Sequence, residues 1–282
     1  MRAIILNLIA HTVIPLNYAI AKYLSSEIHI FQIIWARHCF TVLLALPILF
    51  FFFKSNFVWT EKPKLQLIRG LLLLSVNICF YYAVSHISLS KALTLTFISP
   101  LVVTVFSSIF LSEKVGIKRW SAVVIGFTGA IVVIRPGYIP LDMGSLAALS
   151  AGTMYAFYLI ITRKLSISDN SMLTLLITGL IGSFAMSFTI PFVWVSPTLD
   201  QWLLLSLIGV VTLVGHFLLI LSFKYAEASK LAPISYFEVV TNTIYGYFLF
   251  SHFPDNWTLV GLVIIISSGL FVFYRERKLG IV

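Results

Sequence analysis

The chain has 282 residues, of which 60% are hydrophobic and 10% are charged, and its formal net charge is +9. A soluble globular domain carries about 25% charged residues, so this composition excludes a soluble fold and predicts a protein that crosses the membrane several times. The basic side chains lie in short segments between apolar runs. That pattern indicates topology signals and contact with the lipid bilayer rather than binding of nucleic acid.

Ten apolar runs, separated by short polar segments, predict an all-α integral membrane protein with ten transmembrane helices. In chain order the predicted spans 1 to 10 cover residues 3–24, 30–53, 66–86, 92–112, 120–134, 144–162, 172–195, 202–222, 231–250 and 257–274. The first run is too long for the apolar core of a typical signal peptide, so we expect it to be retained. The connecting segments leave no room for an aqueous domain.

The Lys and Arg residues predict the orientation of the spans. With the N-terminus inside, most of the 19 basic residues fall in inner segments, among them Lys62, Lys64 and Arg69 around the start of span 3. Lys22 and Lys91 fall at outer edges instead. Because cytoplasmic loops carry the excess of basic residues, we expect both termini in the cytoplasm and the protein in the inner (cell) membrane.

Short sequence matches predict an internal repeat. The pair Ser90-Lys91 before span 4 recurs as Ser229-Lys230 before span 9, and "KYLSS" at the end of span 1 resembles "RKLSIS" at the end of span 6. The matches divide the chain into residues 1–138 and 139–282, each with five spans. Because five is odd, the second half must enter the membrane in the opposite sense. Transporters with such inverted repeats bind their substrates near the midplane, between the repeats.

Two stretches carry a family resemblance. "SPLVVTVFSSIFLSEKVGIKRWSAVVIGFTGAIVVIRPG" (99–137) and "YFEVVTNTIYGYFLFSHFPDNWTLVGLVIIISSGLFVFYRER" (236–277) resemble the drug/metabolite transporter superfamily, EamA type. The second copy has His252 where the first has Glu113, a departure from the Glu that members often have in both. The resemblance implies two inverted five-helix repeats around a central cavity. It also implies secondary transport, by export or exchange, of a small organic metabolite such as an amino acid or S-adenosylmethionine, with no cofactor.

Two other kinds of function remain as alternatives, a channel and an integral-membrane enzyme. The sequence has no paired catalytic acids on a loop, no nucleophile motif and no His or Cys cluster at metal-ligand spacing. It also has no visible pore loop. A carrier is therefore the favoured interpretation; coupling to protons and the oligomeric state stay open.

Glu238 is the leading candidate for the substrate site. A charged side chain at the centre of a membrane helix costs about 2.5–3.5 kcal/mol or more, and this acid lies inside predicted span 9. It would either bind a cationic group or a coupling proton in a cavity, or form a structural pair with a basic residue. Arg37, inside span 2, is its natural partner by charge. Arg37 would alternatively bind a substrate carboxylate or brace its own helix.

Further polar and aromatic residues inside the spans are candidates for substrate binding, with ordinary helix packing as the alternative. They are His11, Asn17, Tyr81, Tyr82, Tyr158, Tyr236 and Asn242. Pro100 and Pro233 interrupt spans 4 and 9, which are the repeat-related pair, and we expect a hinge there because proline allows a helix to bend.

Overall fold

The computed structural model describes residues 2–52, 60–110, 117–134, 142–226, 228–231, 234–235, 237–251 and 253–278. These ranges contain helices and no strands. The helices are α1 (Arg2–Leu24), α2 (Ile30–Phe52), α3 (Pro63–His86), α4 (Leu89–Thr96), α5 (Ser99–Phe110), α6 (Ile117–Ile134), α7 (Met143–Ser166), α8 (Ser171–Ser187), α9 (Ile190–Val193), α10 (Leu199–Tyr225), α11 (Ala228–Leu231), α12 (Phe237–Phe250) and α13 (Asn256–Lys278).

Five helices in the described ranges, α1, α2, α3, α7 and α10, are long and apolar enough to cross a membrane. They correspond to predicted spans 1, 2, 3, 6 and 8. Their surfaces carry large exposed apolar side chains such as Phe50, Leu71 and Leu203, which suit a lipid environment and not water. The expected class, an all-helical membrane protein, is confirmed.

Polar side chains fix where several of these helices begin. Asp142 caps α7 by accepting a hydrogen bond from the Ser145 backbone N–H at 2.6 Å, and Asn170 caps α8 in the same manner. Thr198 and Gln201 form a reciprocal capping box at the start of α10. Each cap pairs backbone donors that the first helical turn leaves free, so the helix starts are encoded locally.

Predicted spans 4 and 9 are broken helices. Span 4 consists of α4 and α5, separated at Phe97 and Ile98; span 9 consists of α11 and α12. Pro100 lies in the first turn of α5, where its missing N–H would have no helical partner in any case. It therefore begins a helix and does not bend one in the middle. Pro233 lies outside the described residues.

The helices pack in a regular set of pairs. α1 lies along α10, α3 along α7, and α6 along α13, while α2 packs against α8. The half-helices fill the centre: α12 packs on α1, and both α4 and α5 pack on α7. Glycine permits the closest approaches. A Cβ atom at Gly152 of α7 would lie 2.7 Å from the Thr96 carbonyl oxygen, and one at Gly129 of α6 would lie 2.8 Å from the Gly261 carbonyl oxygen in α13.

Candidate substrate site between the helices

A buried pair of ionisable side chains joins α1 to α12. His11 Nδ1 lies 2.8 Å from Glu238 Oε2, and the two side chains are 2% and 8% exposed. The Thr241 hydroxyl donates to the His11 carbonyl oxygen at 3.1 Å and fastens the two helices at the same level. Glu238 lies in the first turn of α12. There the free backbone N–H groups and the helix dipole stabilise a negative charge, which explains how an apolar span accommodates an acid.

Arg37 lies at the centre of a separate hydrogen-bonded group, which we call the arginine cluster: Arg37, Asn77, Tyr81, Thr212 and His216. The guanidinium donates to Thr212 Oγ1 and His216 Nε2, both at 3.0 Å, to Asn77 Oδ1, and at 3.4 Å to the Tyr81 hydroxyl. All of these groups accept hydrogen bonds from the guanidinium, and within the described ranges Glu238 pairs with His11 and not with Arg37. The sequence alternative of a direct Arg37–Glu238 pair is not the arrangement observed.

The hydrogen bonds of the arginine cluster define the tautomer of His216. A guanidinium has no acceptor, so Nε2 of His216 accepts from Arg37. Its Nδ1 then carries the proton and faces the Tyr158 hydroxyl at 3.3 Å. An additional proton on Nε2 would break the contact with Arg37, so the geometry gives His216 a positioning role.

Arg69 is buried and not in a loop, which corrects the expectation from the sequence. Its side chain is 0% exposed. It donates to the Thr162 hydroxyl and the Tyr158 hydroxyl, each at 2.7 Å, and to Thr178 Oγ1. Its guanidinium carbon also lies 4.5 Å from the centre of the Tyr158 ring. α3 begins at Pro63, ahead of the predicted start at residue 66, so Arg69 is already inside the helical bundle.

Two narrow cavities flank the His11–Glu238 pair. We call one the Glu238 cavity; its wall includes Tyr18, Phe80, Phe97, Tyr155, Ser235 and Glu238. We call the other the His11 cavity; its wall includes His11, Pro100, Leu159, Leu219, Phe223 and Ser235. One member of the ion pair faces each cavity, and Ser235 lines both. The ion pair therefore stands in the wall between two compartments.

The structure brings several of the predicted site residues together. Glu238 and His11 are in direct contact, and Asn242 lies one turn further along α12, 4% exposed. Asn17 accepts from Thr212 at 3.2 Å and so joins the arginine cluster with Arg37 and Tyr81; Tyr158 joins it through His216.

Among the predicted residues that the structure describes, Tyr82 does not join these groups. Tyr82 is 39% exposed and stacks on His86, with ring centres 4.1 Å apart. Adjacent residues on a helix point about 100° apart, so the inward position of Tyr81 turns Tyr82 outward. Tyr236 lies outside the described residues.

Sequence reasoning missed Tyr18, Phe80 and Phe97 of the Glu238 cavity because aromatic residues in a span are ordinarily attributed to packing. It also missed Asn77 as a partner of Arg37. The repeat contains a signal for it: with Ser90-Lys91 aligned to Ser229-Lys230, Asn77 aligns with His216. Both residues contact Arg37, from α3 and α10.

Curated relatives span most of the chain. An S-adenosylmethionine uptake transporter of Rickettsia felis is 31% identical over 263 residues, which is 93% of this chain and 89% of the relative. The pseudopaline exporter CntI of Pseudomonas aeruginosa is 29% identical and covers 74% of each chain. A riboflavin transporter of Vibrio cholerae is 30% identical over 67% of this chain and 63% of its own length.

A solved crystal structure has the same overall fold, with a TM-score of 0.71 over 97% of this chain and 98% of the other at 14% identity. The sequence model of the EamA-like transporter family matches residues 1–135 and 142–274. The chain therefore belongs to the EamA-like transporter family, and it is a multi-pass membrane protein that transports a small metabolite and is not an enzyme.

Proposed function

We propose that the protein is a secondary active transporter of S-adenosylmethionine or a metabolite that closely resembles it, and that it works by alternating access between the Glu238 and His11 cavities. The observation that carries the proposal is the buried His11–Glu238 pair between the two cavities. S-adenosylmethionine is cationic at its sulfonium and amino groups, and a buried carboxylate is a suitable partner for either. The relatives named S-adenosylmethionine uptake transporters support this substrate and favour the inward direction, with exchange as a compatible mode.

We infer that residues 1–138 and 139–282 form inverted repeats within ten transmembrane spans. The packing pairs support this inference. Each predicted span has a counterpart five spans away in the other half. When spans are replaced by their counterparts, the α1–α10 contact becomes the α7–α3 contact. The α1–α12 contact becomes the contact of α7 with α4 and α5. The α2–α8 and α6–α13 contacts convert into themselves. The family model also matches one stretch in each half.

Two wall positions of one cavity correspond to two wall positions of the other when the halves of the chain are exchanged. With Ser90-Lys91 aligned to Ser229-Lys230, Phe80 of the Glu238 cavity corresponds to Leu219 of the His11 cavity. With "KYLSS" aligned to "RKLSIS", Tyr18 corresponds to Leu159. A twofold axis in the membrane plane would direct such cavities to opposite faces. This supports one cavity as the outer half of the pathway and the other as the inner half.

The ion pair suggests how transport is coupled. A cationic group that enters the Glu238 cavity would compete with His11 for the carboxylate, because Glu238 faces that cavity while His11 faces the other. Proton binding to the pair would satisfy the same carboxylate. Substrate and proton would then exclude each other, which is the condition for exchange of one against the other across the membrane.

We also propose that both termini lie in the cytoplasm and that the protein resides in the inner membrane. The distribution of basic residues supports this orientation. Arg69 no longer counts as a loop charge because it is buried, but Lys62 and Lys64 remain in the segment between α2 and the body of α3, and the other inner segments are unaffected.

Replacement of Glu238 tests the proposal. In proteoliposomes, wild-type protein is expected to take up labelled S-adenosylmethionine saturably, and Glu238→Gln is expected to reduce both pH-driven uptake and exchange at least about 100-fold, since a buried cation without its carboxylate loses several kcal/mol. Loss of pH-driven uptake alone would assign Glu238 to the proton and not to the substrate.

The matched control is Glu61→Gln, which makes the same change at an exposed position, and it should transport normally. Unchanged uptake by Glu238→Gln would remove the ion pair from the mechanism. Absence of saturable uptake by wild-type protein would rule out this substrate, and high-conductance flux would indicate a channel.

A further inference from the structure

We propose that the rings of Tyr18 and Phe80 make the Glu238 cavity selective for an onium group, a sulfonium or substituted ammonium cation, over the uncharged form of the same metabolite. This inference rests on the proposed function and specifies which part of the substrate the Glu238 cavity recognises and which residues determine the selectivity. The His11 cavity has leucines at the corresponding positions, so the two sides of the pathway are expected to hold the cation unequally.

The first observation is the arrangement of the rings. The centres of the Tyr18 and Phe80 rings are 4.5 Å apart, with the rings tilted at 49°. Tyr155, in the same wall, stacks on Tyr158 with ring centres 5.6 Å apart. The faces of aromatic rings carry partial negative charge and attract a desolvated cation. Together with the Glu238 carboxylate they make a wall that attracts positive charge from more than one direction.

The second observation is a set of buried polar groups that lack partners. Tyr155 is 8% exposed and lines the Glu238 cavity, and its hydroxyl has no hydrogen-bond partner within the described ranges. The amide nitrogen and oxygen of Asn242, one turn from Glu238, are also unpaired there. A buried polar group without a partner has lost its hydrogen bonds to water and destabilises the empty cavity. A bound metabolite with donors and acceptors beside its onium centre would satisfy the Tyr155 hydroxyl.

The third observation is the contrast with the His11 cavity. Leu159 and Leu219 occupy the positions equivalent to Tyr18 and Phe80, and Phe223 contributes a ring at a different position. Among the described residues of its wall, the ionisable side chain is His11, which offers a cation no negative charge. The cation would therefore be bound on the Glu238 side and released from the His11 side.

The test compares two ligands that differ by one methyl group and one positive charge. S-adenosylmethionine carries a sulfonium, and S-adenosylhomocysteine has the neutral thioether in its place. Competition against labelled S-adenosylmethionine, measured with the full-length protein in proteoliposomes, gives a selectivity ratio for each variant. In wild-type protein we expect the neutral ligand to compete at least tenfold more weakly.

Tyr18→Leu and Phe80→Leu copy the leucines of the His11 cavity and remove one ring each. Each is expected to weaken S-adenosylmethionine binding about five- to thirtyfold, because one desolvated cation–π contact is worth about 1–2 kcal/mol, and to leave S-adenosylhomocysteine almost unchanged. Tyr18→Phe keeps the ring and should keep the ratio. Tyr247→Leu removes a tyrosine ring from the exposed side of α12 and serves as the matched control.

The outcomes separate this inference from the proposed function. If wild-type protein shows no saturable uptake of S-adenosylmethionine, the proposed function fails. If uptake is normal and both leucine variants keep the wild-type ratio, or lose both ligands equally, the inference is wrong. Because the ratio is measured within one preparation, partial loss of folded protein does not affect it. If one leucine variant fails to fold, the other gives the same comparison.

Discussion

Arg69 shows how a single side chain can hold a helical bundle together. It is fully buried on α3, yet its donors reach hydroxyl groups of Tyr158 and Thr162 on α7 and of Thr178 on α8. The planar guanidinium can meet several acceptors in fixed directions, which an ammonium cannot do. Arg69 therefore connects three helices from one point.

Replacement of Arg69 is predicted to destabilise the fold. In Arg69→Met the buried partner groups lose their donor, and each unsatisfied group costs about 1–3 kcal/mol, so the midpoint of thermal unfolding in detergent should fall clearly. The midpoint of Arg69→Lys should lie between those of wild type and Arg69→Met, because lysine keeps the charge but has fewer donors aligned with the acceptors. Lys64→Met, on the exposed side of the same helix, is the control, and an unchanged midpoint for Arg69→Met would refute the bracing role.

The residues of the site could be found from the sequence in part. Glu238, His11 and Arg37 stand out because ionisable groups in apolar spans are costly. Their partners could not be derived, because the His11–Glu238 contact joins residues 227 positions apart and depends on how the half-helices pack. Arg69 was assigned to an inner segment because it is a basic residue near the start of predicted span 3, and its charge alone does not show that its side chain reaches acceptors on α7 and α8.

The half-helix α4 is tied to α7 by an ion pair at the helix starts. Lys91 Nζ, in the first turn of α4, donates to Asp142 Oδ2 at 2.9 Å, while Asp142 Oδ1 caps the Ser145 N–H of α7. Partial burial raises the pKa of Asp142, but the hydrogen bonds from Lys91 and Ser145 outweigh it and hold the pKa below its ordinary value. The ionised form is therefore the form that stabilises the folded protein.

Asp142→Asn is predicted to remove the ion pair with Lys91 and to keep the cap on α7, since Asn also caps helices well. A carboxylate whose pKa is lowered on folding contributes stability above its ordinary pKa of about 3.9 and loses it as the pH falls through the lower folded value. At pH 7 the unfolding midpoint of Asp142→Asn should thus lie slightly below that of wild type. The expected loss in free energy of unfolding is typical of exposed ion pairs, about 0.2–1 kcal/mol.

In strong acid, below the lowered pKa of Asp142, the two unfolding midpoints should converge. Asp200→Asn, an exposed acid in the first turn of α10, is the control. A difference that persists unchanged in acid would show that the ion pair is not its cause.

A hinge in span 4 was expected at Pro100, but the break lies ahead of this proline. The chain leaves the helix at Phe97 and Ile98, ahead of Pro100, because proline is most readily accommodated at a helix start. Gly152 of α7 is the second reason for the position of the break in span 4. A larger residue there would collide with the Thr96 carbonyl at the break, a tertiary requirement that no local pattern in span 4 reveals.

The molecule as a whole follows from composition and hydropathy more directly than from any motif. A chain with 10% charged residues has too little polar surface for water, and five described helices are long enough to cross a bilayer. Among the remaining proposed spans, α8 has 17 residues and span 4 is divided between α4 and α5.

Cysteine accessibility tests the ten-span arrangement. In a variant lacking Cys39 and Cys79, Leu199→Cys at the start of α10 should react with a membrane-impermeant maleimide in intact cells. Ile167→Cys, between α7 and α8, should react only after permeabilisation. Both positions are exposed, at 76% and 69%, so burial does not confound the comparison. Tags at both chain ends should behave like Ile167→Cys.

Labelling of both cysteines from the same side would mean that α8 and α9 do not cross the membrane, and the inverted repeat would fail with them. Chain ends on opposite sides would have the same consequence.

One imidazole and one carboxylate meet where the two cavities lie closest to the His11–Glu238 contact. If this contact closes the passage as we propose, the residues that close it are different from most of those that line the cavities. Such a division allows the chamber walls to diverge toward new cargoes while the seal is retained. Proteins about 30% identical to this chain are named for cargoes as different as S-adenosylmethionine and riboflavin, a diversity that this separation of seal and wall would permit.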